Sequence, residues 1–359
     1  MANPVVVRAG RIAVALPSRE TFLLRKSGAV ALCARDFQRF SKYAARIDIF
    51  GAGACEYADT PYHRLEDWRR WWRRERDAYG RALAGALGDY ALIEVQNRPY
   101  LIDALRKRLP RVKLALHLHN DPQSMDGSRS LAERGRLLEA CEAIYCVSDF
   151  IRGRFLQGLG GGEGRVFTIL NGVERPLEAA PKAKLIAFTG RVSAIKGTGE
   201  LVRAFLAADL PGWRLAIAGG DPEGLLAGVR SEKVEIRGQV SHAEAMALLG
   251  QAEIAAVPSV WDDPCPRAAI EALASGCALL TSRRGGLPEI AGDAGSYVDP
   301  GDAAGFAEAL RRLALDDELR RRLQQAGRAR AAEMFDIGVA TARLDAARAS
   351  VIGPPRGIG

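Results

Sequence analysis

Short apolar runs alternate with segments of helical spacing along almost the whole chain, and this rhythm restricts the possible folds more than any other feature. The runs in the front half are RIAVALP (11–17), ARIDIF (45–50), ALIEV (91–95), KLALHLH (113–119), AIYCV (143–147) and VFTIL (166–170). Segments 28–43, 65–87 and 131–140 between them carry apolar residues at helical intervals. Strands that read as nearly continuous apolar runs are buried on both faces, so helices must cover a parallel sheet from both sides. The rhythm pauses at 171–184, NGVERPLEAAPKAK, which has two prolines and no strand period and reads as a linker. A second series follows, with LIAFTG (185–190), WRLAIAGG (213–220), KVEIRG (233–238), EIAAVPS (253–259) and CALLTS (277–282). Residues 302–351 are expected to be nearly all helix, ending at Gly353-Pro354-Pro355. The expectation is an α/β protein of two doubly wound domains, 1–177 and 178–335, and a final helix, 336–359.

Composition excludes several classes. Apolar residues make up 48% and charged residues 26%, enough for a sizeable core. No apolar run approaches the ~18 residues of a membrane span, and the first residues lack the basic start and apolar stretch of a secretory signal. A cytoplasmic location is therefore expected. The six cysteines contain no C-x-x-C pair and there are only four histidines, so neither a zinc site nor a disulfide framework is expected. The chain lacks a G-x4-G-K-[ST] phosphate loop and a D-x-D pair. Net charge is +8, unevenly placed: residues 1–177 carry 29 Lys+Arg and 20 Asp+Glu (+9), the remainder 22 and 23 (−1). One half is thus suited to an anionic partner, although no motif for nucleic acid accompanies it and none is expected as a partner.

Two stretches carry chemistry. In 258–289, PSVWDDPCPRAAIEALASGCALLTSRRGGLPE, a strand is followed by a loop holding Asp263 and a helix holding Glu271. Carboxylates at such a place can accept hydrogen bonds from the hydroxyls of a polyol, and the helix N-terminus beside them favours phosphate. In 188–205, FTGRVSAIKGTGELVRAF, Arg191 and Lys196 follow a strand end at Gly190. Two cations there can neutralise a diphosphate leaving group without a metal; read alone, they are equally solvated loop charges.

Together these motifs, G-R-x4-K-G, then P-S-x-W-D-D-P-x-P-R-x3-E-A-x-A-S-G, then G-G-L-P-E, resemble the retaining glycosyltransferases of family 4, which have the GT-B fold. HLHNDP (117–122), 143–155 and LNGVE (170–174) are similar to landmarks of that family's front half. The resemblance implies two Rossmann-like domains facing across a cleft, acceptor domain first and nucleotide-sugar domain second, with the last helix crossing back to the first domain. It implies transfer of a hexose-type sugar from a UDP- or GDP-sugar to a hydroxyl, with retention and with no metal or other cofactor. By motif, Gly190, Arg191 and Lys196 would hold the donor diphosphate, and the backbone of Cys265, Pro266, Arg267 and Ala268 would lie near sugar and phosphate. Glu271 would take the ribose hydroxyls and Asp263 those of the donor sugar. His119 matches a cleft histidine near the transferred sugar, and Gly28 an early glycine loop approaching the diphosphate. Glu289 either joins the nucleotide site or caps its helix. The chain departs from the pattern in having Asp263 for Glu, Cys265-Pro266 for Phe-Gly, and a single early glycine at Ser27-Gly28.

One further segment, EDWRRWWRRERDAYGR (66–81), would place Trp68, Trp71, Trp72 and Tyr79 near one helix face among Arg69, Arg70, Arg73, Arg74 and Arg76. It reads either as a helix packed on the sheet or as an interfacial helix on an anionic membrane, which would make Trp68, Trp71, Trp72, Arg73 and Arg74 acceptor or membrane contacts. His117 is expected to be a packed histidine facing away from His119. The expected activity is transfer to a lipid-linked or polysaccharide acceptor in bacterial cell-surface glycan synthesis. The alternatives are a soluble metabolite or protein acceptor, or an inactive sugar-nucleotide-binding partner.

Overall fold

The computed structural model describes residues 8–25, 27–66, 75–174 and 181–354, which form two compact units, Met1–Asn171 with Ile337–Gly359, and Gly172–Asp336. The first unit has seven strands: β1 (Arg8–Ala15), β2 (Ile47–Gly51), β3 (Tyr62–Arg64), β4 (Tyr90–Gln96), β5 (Lys113–Leu118), β6 (Ala143–Cys146) and β7 (Val166–Thr168). All run parallel in the order β3-β2-β1-β4-β5-β6-β7. Helices α1 (Ala29–Arg39), α2 (Glu75–Leu87), α3 (Tyr100–Arg108), α4 (Leu131–Ala140) and α5 (Asp149–Leu156) make the crossovers. The order reverses between β1 and β4, so the chain ends leaving these strands open a crevice at their carboxyl edge.

The second unit repeats the plan with β8 (Ala183–Thr189), β9 (Arg214–Ala218), β10 (Val234–Gly238), β11 (Ala252–Val257), β12 (Ala278–Ser282) and β13 (Gly295–Val298). These are parallel in the order β10-β9-β8-β11-β12-β13, and the reversal lies between β8 and β11. Its helices are α6 (Thr198–Ala208), α7 (His242–Gln251), α8 (Arg267–Ala274), α9 (Leu287–Ala291), α10 (Ala303–Leu315) and α11 (Asp317–Met334). The core is built around Trp213, Phe205 and Phe306. Helix α7 opens on a reciprocal cap, in which Ser241 accepts from the Glu244 N–H and Glu244 binds back to the Ser241 N–H. Strands β3 and β13 are not visible in the apolar pattern. β3 has three residues, largely exposed, and β13 is four residues of GSYV at a sheet edge.

The expected long helical tail is three helices, because Asp302 and Asp316 each accept a first-turn N–H as N-caps, and the chain breaks again at Phe335–Asp336. The last helix, α12 (Ile337–Ile352), belongs to the first unit. Ile337, Ala340, Leu344 and Ala347 enter that unit's core beside Ile12, Val14 and Phe37. Arg348, 1% exposed, donates two bonds of 2.8 Å to the Glu94 carboxylate in the middle of β4, and others to Asp345 (3.0 Å) and Ser41 (3.1 Å). A charge buried this fully persists only when it is paired and hydrogen-bonded, and here each of the three guanidinium nitrogens donates to at least one acceptor. The neighbouring carboxylates outweigh burial and push its pKa above the usual arginine value.

Candidate functional site

In the second unit the chemistry lies where the sheet order reverses. β8 ends at Thr189, Gly190 takes a left-handed φ of 128°, and Arg191 follows, exposed. A 3-10 turn (Ala194–Lys196) then brings Lys196 beside the loop leaving β11. The two loops are tied through their backbones, with the Val260 N–H donating to the Ile195 carbonyl at 2.9 Å. Lys196 Nζ donates to Asp263 Oδ2, and the same oxygen accepts from Ser259 Oγ at 3.3 Å. Lys196 also stands 5.6 Å from the centre of the Trp261 ring. Asp263 is 4% exposed, and this ammonium is the cation it is buried against. An ammonium has three N–H donors, so Lys196 can hold Asp263 and still offer donors to an anion.

Eight residues on, Glu271 is buried on α8. Its Oε1 lies 2.9 Å from His242 Nε2 and accepts from Arg267 Nε at 3.3 Å. Burial alone would raise the Glu271 carboxyl; the His242 bond and the charge of Arg267 outweigh it and hold the pKa at about 2. Helix α8 begins after Pro266, which has no N–H to give, and no side chain caps its first turn. Its positive end is therefore available to an anion. Cys265 and Pro266 are buried and Ala268 is half-buried, while Glu289 is half-buried in the first turn of α9.

At the corresponding edge of the first unit, uncharged polar groups meet at the ends of β4 and β5. His119, just past β5, donates its backbone N–H to Asn97 Oδ1 (3.1 Å), and its Nε2 lies 2.9 Å from Gln96 Oε1. With Gln96 accepting, the imidazole carries its proton on Nε2 and keeps Nδ1 as an acceptor. Burial lowers the His119 pKa to about 3, so the ring is neutral at physiological pH. Asn97 ends β4 in the left-handed region at φ 53°, unusual for a non-glycine residue. His117 does not face away from His119: the rings stack with centres 4.4 Å apart, because residues two apart on a strand share a face. Gly28 precedes α1 with an extended φ of −73°, so conformation does not demand glycine there. A Cβ there would fall 2.2 Å from Glu20 Oε2, so the Glu20 carboxylate packs against the bare glycine and would have to move for a larger residue. Burial raises the Glu20 pKa, opposed by the charge of Arg98.

Residues 173–330, which span this whole second-unit edge, match the sequence-family model of glycosyl transferases group 1. Over these residues the chain belongs to the group 1 glycosyltransferases. It is a nucleotide-sugar glycosyltransferase of a retaining family, with the two Rossmann-like units of the GT-B fold. It is 25% identical over 350 residues to YtcC of Bacillus subtilis, which carries a glycosyltransferase name, covering 87% of this chain and 86% of that one. Among solved structures it resembles Anabaena HepE in complex with UDP-glucose, at a TM-score of 0.77 and 16% identity over 94% of this chain and 99% of that one. It also resembles WaaG, a glycosyltransferase involved in lipopolysaccharide biosynthesis, at 0.69 and 15% over 95% and 100%.

In this glycosyltransferase the structure brings Lys196 to Asp263 and Arg267 to Glu271, while Arg191 is exposed and makes no side-chain hydrogen bond or ion pair among the described residues. Sequence reading missed His242, Ser259, Gln96 and Asn97. His242 had a local signal, the S-x-x-E cap that starts its helix, and Ser259 lies four residues from its partner Asp263; Gln96 and Asn97 acquire a role through His119, more than twenty positions away. Trp68, Trp71, Trp72, Arg73 and Arg74 lie outside the described residues. Tyr79, further along that segment, is buried, and its hydroxyl donates to the Leu16 carbonyl at 2.7 Å. Among the described residues no helix is long and apolar enough to cross a membrane, and no three His, Cys, Asp or Glu side chains are placed to hold a metal.

Proposed function

We propose that this enzyme transfers a hexose-type sugar from a UDP- or GDP-sugar to a hydroxyl of a lipid-linked or polysaccharide acceptor, with retention and without a metal, in bacterial cell-surface glycan synthesis. The observation that carries the donor half is the pairing of Lys196 with buried Asp263 at the reversal point of the second sheet. Arg191 and Lys196 bind the diphosphate and stabilise its charge as the anomeric C–O bond breaks, and the acceptor oxygen bonds to the same carbon on the same face. Asp263 accepts hydroxyls of the transferred sugar, one methylene further back than a glutamate would. Glu271, held ionised by Arg267 and His242, accepts the ribose hydroxyls. The backbone of Gly190, Cys265, Pro266, Arg267 and Ala268 lines the donor, with Glu289 at the next strand–helix turn. His119 and Gly28 act from the first unit, His119 offering a neutral imidazole to the sugar. The UDP-glucose complex of HepE supports a UDP-hexose donor. WaaG's role in lipopolysaccharide biosynthesis and the +9 of residues 1–177 support an anionic, lipid-linked acceptor and peripheral contact with the inner membrane face.

The test is a thermal-shift panel with UDP, GDP, ADP, dTDP and CDP on wild type and Lys196→Ala. A ligand at 100 times its Kd adds about 2.7 kcal/mol. One nucleotide should shift the wild type by a few degrees and leave Lys196→Ala unmoved. No shift by any of the five at millimolar concentration rejects the donor assignment.

A further inference from the structure

A cavity of about 360 Å³ opens at the carboxyl ends of β12 and β13, lined by Arg283, Arg284, Tyr297, Asp299, Pro300 and the end of β12 at Ser282. The Arg283 guanidinium lies over the Tyr297 ring, 3.9 Å from its centre, which fixes its direction. Asp299 is engaged by the Gly301 N–H at 2.9 Å, and among the described residues no carboxylate comes within ion-pair distance of Arg283 or Arg284. Two arginines in a concave site, where the Asp299 carboxylate is held by a backbone amide and pairs with neither of them, are a forked donor set for an anion.

The position of this cavity ties it to the transferred sugar. β11 lies between β8 and β12, so Asp263, which follows β11, stands between the Lys196 loop and the arginine loop. The arginine loop is pinned to it: the Gly286 N–H donates to the Asp263 carbonyl at 2.8 Å, and the Gly285 N–H to Asp262 Oδ1 at 3.2 Å. Gly285 permits this contact, since its φ is 56° and a Cβ would fall 2.3 Å from the Asp263 oxygen. A ligand running from the diphosphate through a sugar at Asp263 therefore reaches Arg283 and Arg284 next.

We propose that Arg283, Arg284 and Tyr297 form a second anion site, which takes a phosphate or carboxylate carried on a sugar-sized group beyond the transferred sugar. The anion site stands on its own geometry; only its relation to the transferred sugar rests on the donor reading above. The anion belongs either to the acceptor or to the donor sugar itself, and the two sources are separable.

Isothermal titration of the full chain with inorganic phosphate and with glucose 6-phosphate tests the site. The wild type and Arg191→Ala/Lys196→Ala should both bind glucose 6-phosphate, more tightly than glucose, while Arg283→Ala/Arg284→Ala binds it at least tenfold more weakly. Arg283→Lys, which keeps the charge, should recover part of the loss. UDP binding, measured on the same samples, reports separately on the donor site and should survive the Arg283→Ala/Arg284→Ala change. If that variant also weakens UDP-glucuronate but not UDP-glucose, the anion is carried by the donor sugar; if both donors bind unchanged, it belongs to the acceptor. Equal affinity of wild type and Arg283→Ala/Arg284→Ala for inorganic phosphate and glucose 6-phosphate would overturn the proposal.

Discussion

The two units have nearly the same topology, yet they put their charges in different places. In the second unit the charged groups gather at the carboxyl edge of the sheet, Lys196 on Asp263 and Arg267 with His242 on Glu271. In the first unit Gln96, Asn97 and a neutral His119 meet at the ends of β4 and β5, and a buried ion pair joins Arg348 of α12 to Glu94 of β4. A doubly wound sheet offers its crevice in both cases. What differs is whether ionic groups gather at the crevice or hold the chain's last helix in place.

The largest effect should come from that internal pair. Arg348→Ala leaves Glu94 buried without its partner and should destabilise the first unit by about 3–5 kcal/mol. By the usual conversion for a unit of this size this is a melting point lower by roughly 10 °C, seen by calorimetry. Replacing both residues, Arg348→Met with Glu94→Leu, should cost less than Arg348→Ala alone. A double variant as unstable as the single one would show that packing of α12, not charge, is what matters.

Next in size is the catalytic counterpart. Lys196→Ala should lower kcat by about 10²–10³-fold, the range for losing one donor to a developing negative charge. Lys196→Arg should retain part of the rate. A steady-state assay showing less than a tenfold loss would move the burden of leaving-group stabilisation to Arg191.

Acid should weaken the units in different windows. His119 has a folded pKa of about 3 against about 6.5 unfolded, so the unfolded chain binds the extra proton and stability of the first unit falls as pH drops from 6.5 toward 3. Glu271 has a folded pKa of about 2 against about 4.5, so its contribution is complete above 4.5 and is lost on falling toward 2. Hydrogen exchange at pH 5.5 and 7.5 should therefore show protection lost in the first unit before the second. Glu271→Gln should flatten the acid limb of the second unit below pH 4.5. Equal loss in both units at pH 5.5 contradicts the assignment.

The smallest effect concerns positioning. Gln96→Leu removes the acceptor that fixes the His119 tautomer, and one hydrogen bond of about 1 kcal/mol corresponds to a roughly fivefold fall in kcat. Gln96→Glu should instead raise the His119 pKa, visible as a displaced acidic limb of the rate profile. A rate unchanged in Gln96→Leu would make the contact purely structural.

Most strands and the candidate donor residues were legible in the sequence, because both depend on local pattern. A strand buried on both faces must be an apolar run, and Arg191, Lys196, Asp263 and Glu271 sit at fixed offsets from strand ends. β3 and β13 were not, since short edge strands bury too little to leave an apolar signature. Nor were the breaks at Asp316 and Phe335 within the tail, where the acidic caps are few against a continuous helical period.

Pairing was decided only by the tertiary structure. Nothing near Glu94 announces that Arg348, 254 positions later, will satisfy it, and nothing near Glu271 announces His242. The cost of burying a charge depends on what faces it across space, and a one-dimensional pattern carries no such distance. The sequence by itself determined the two sheets and the residues at their edges. The tertiary structure decided which of those residues face each other.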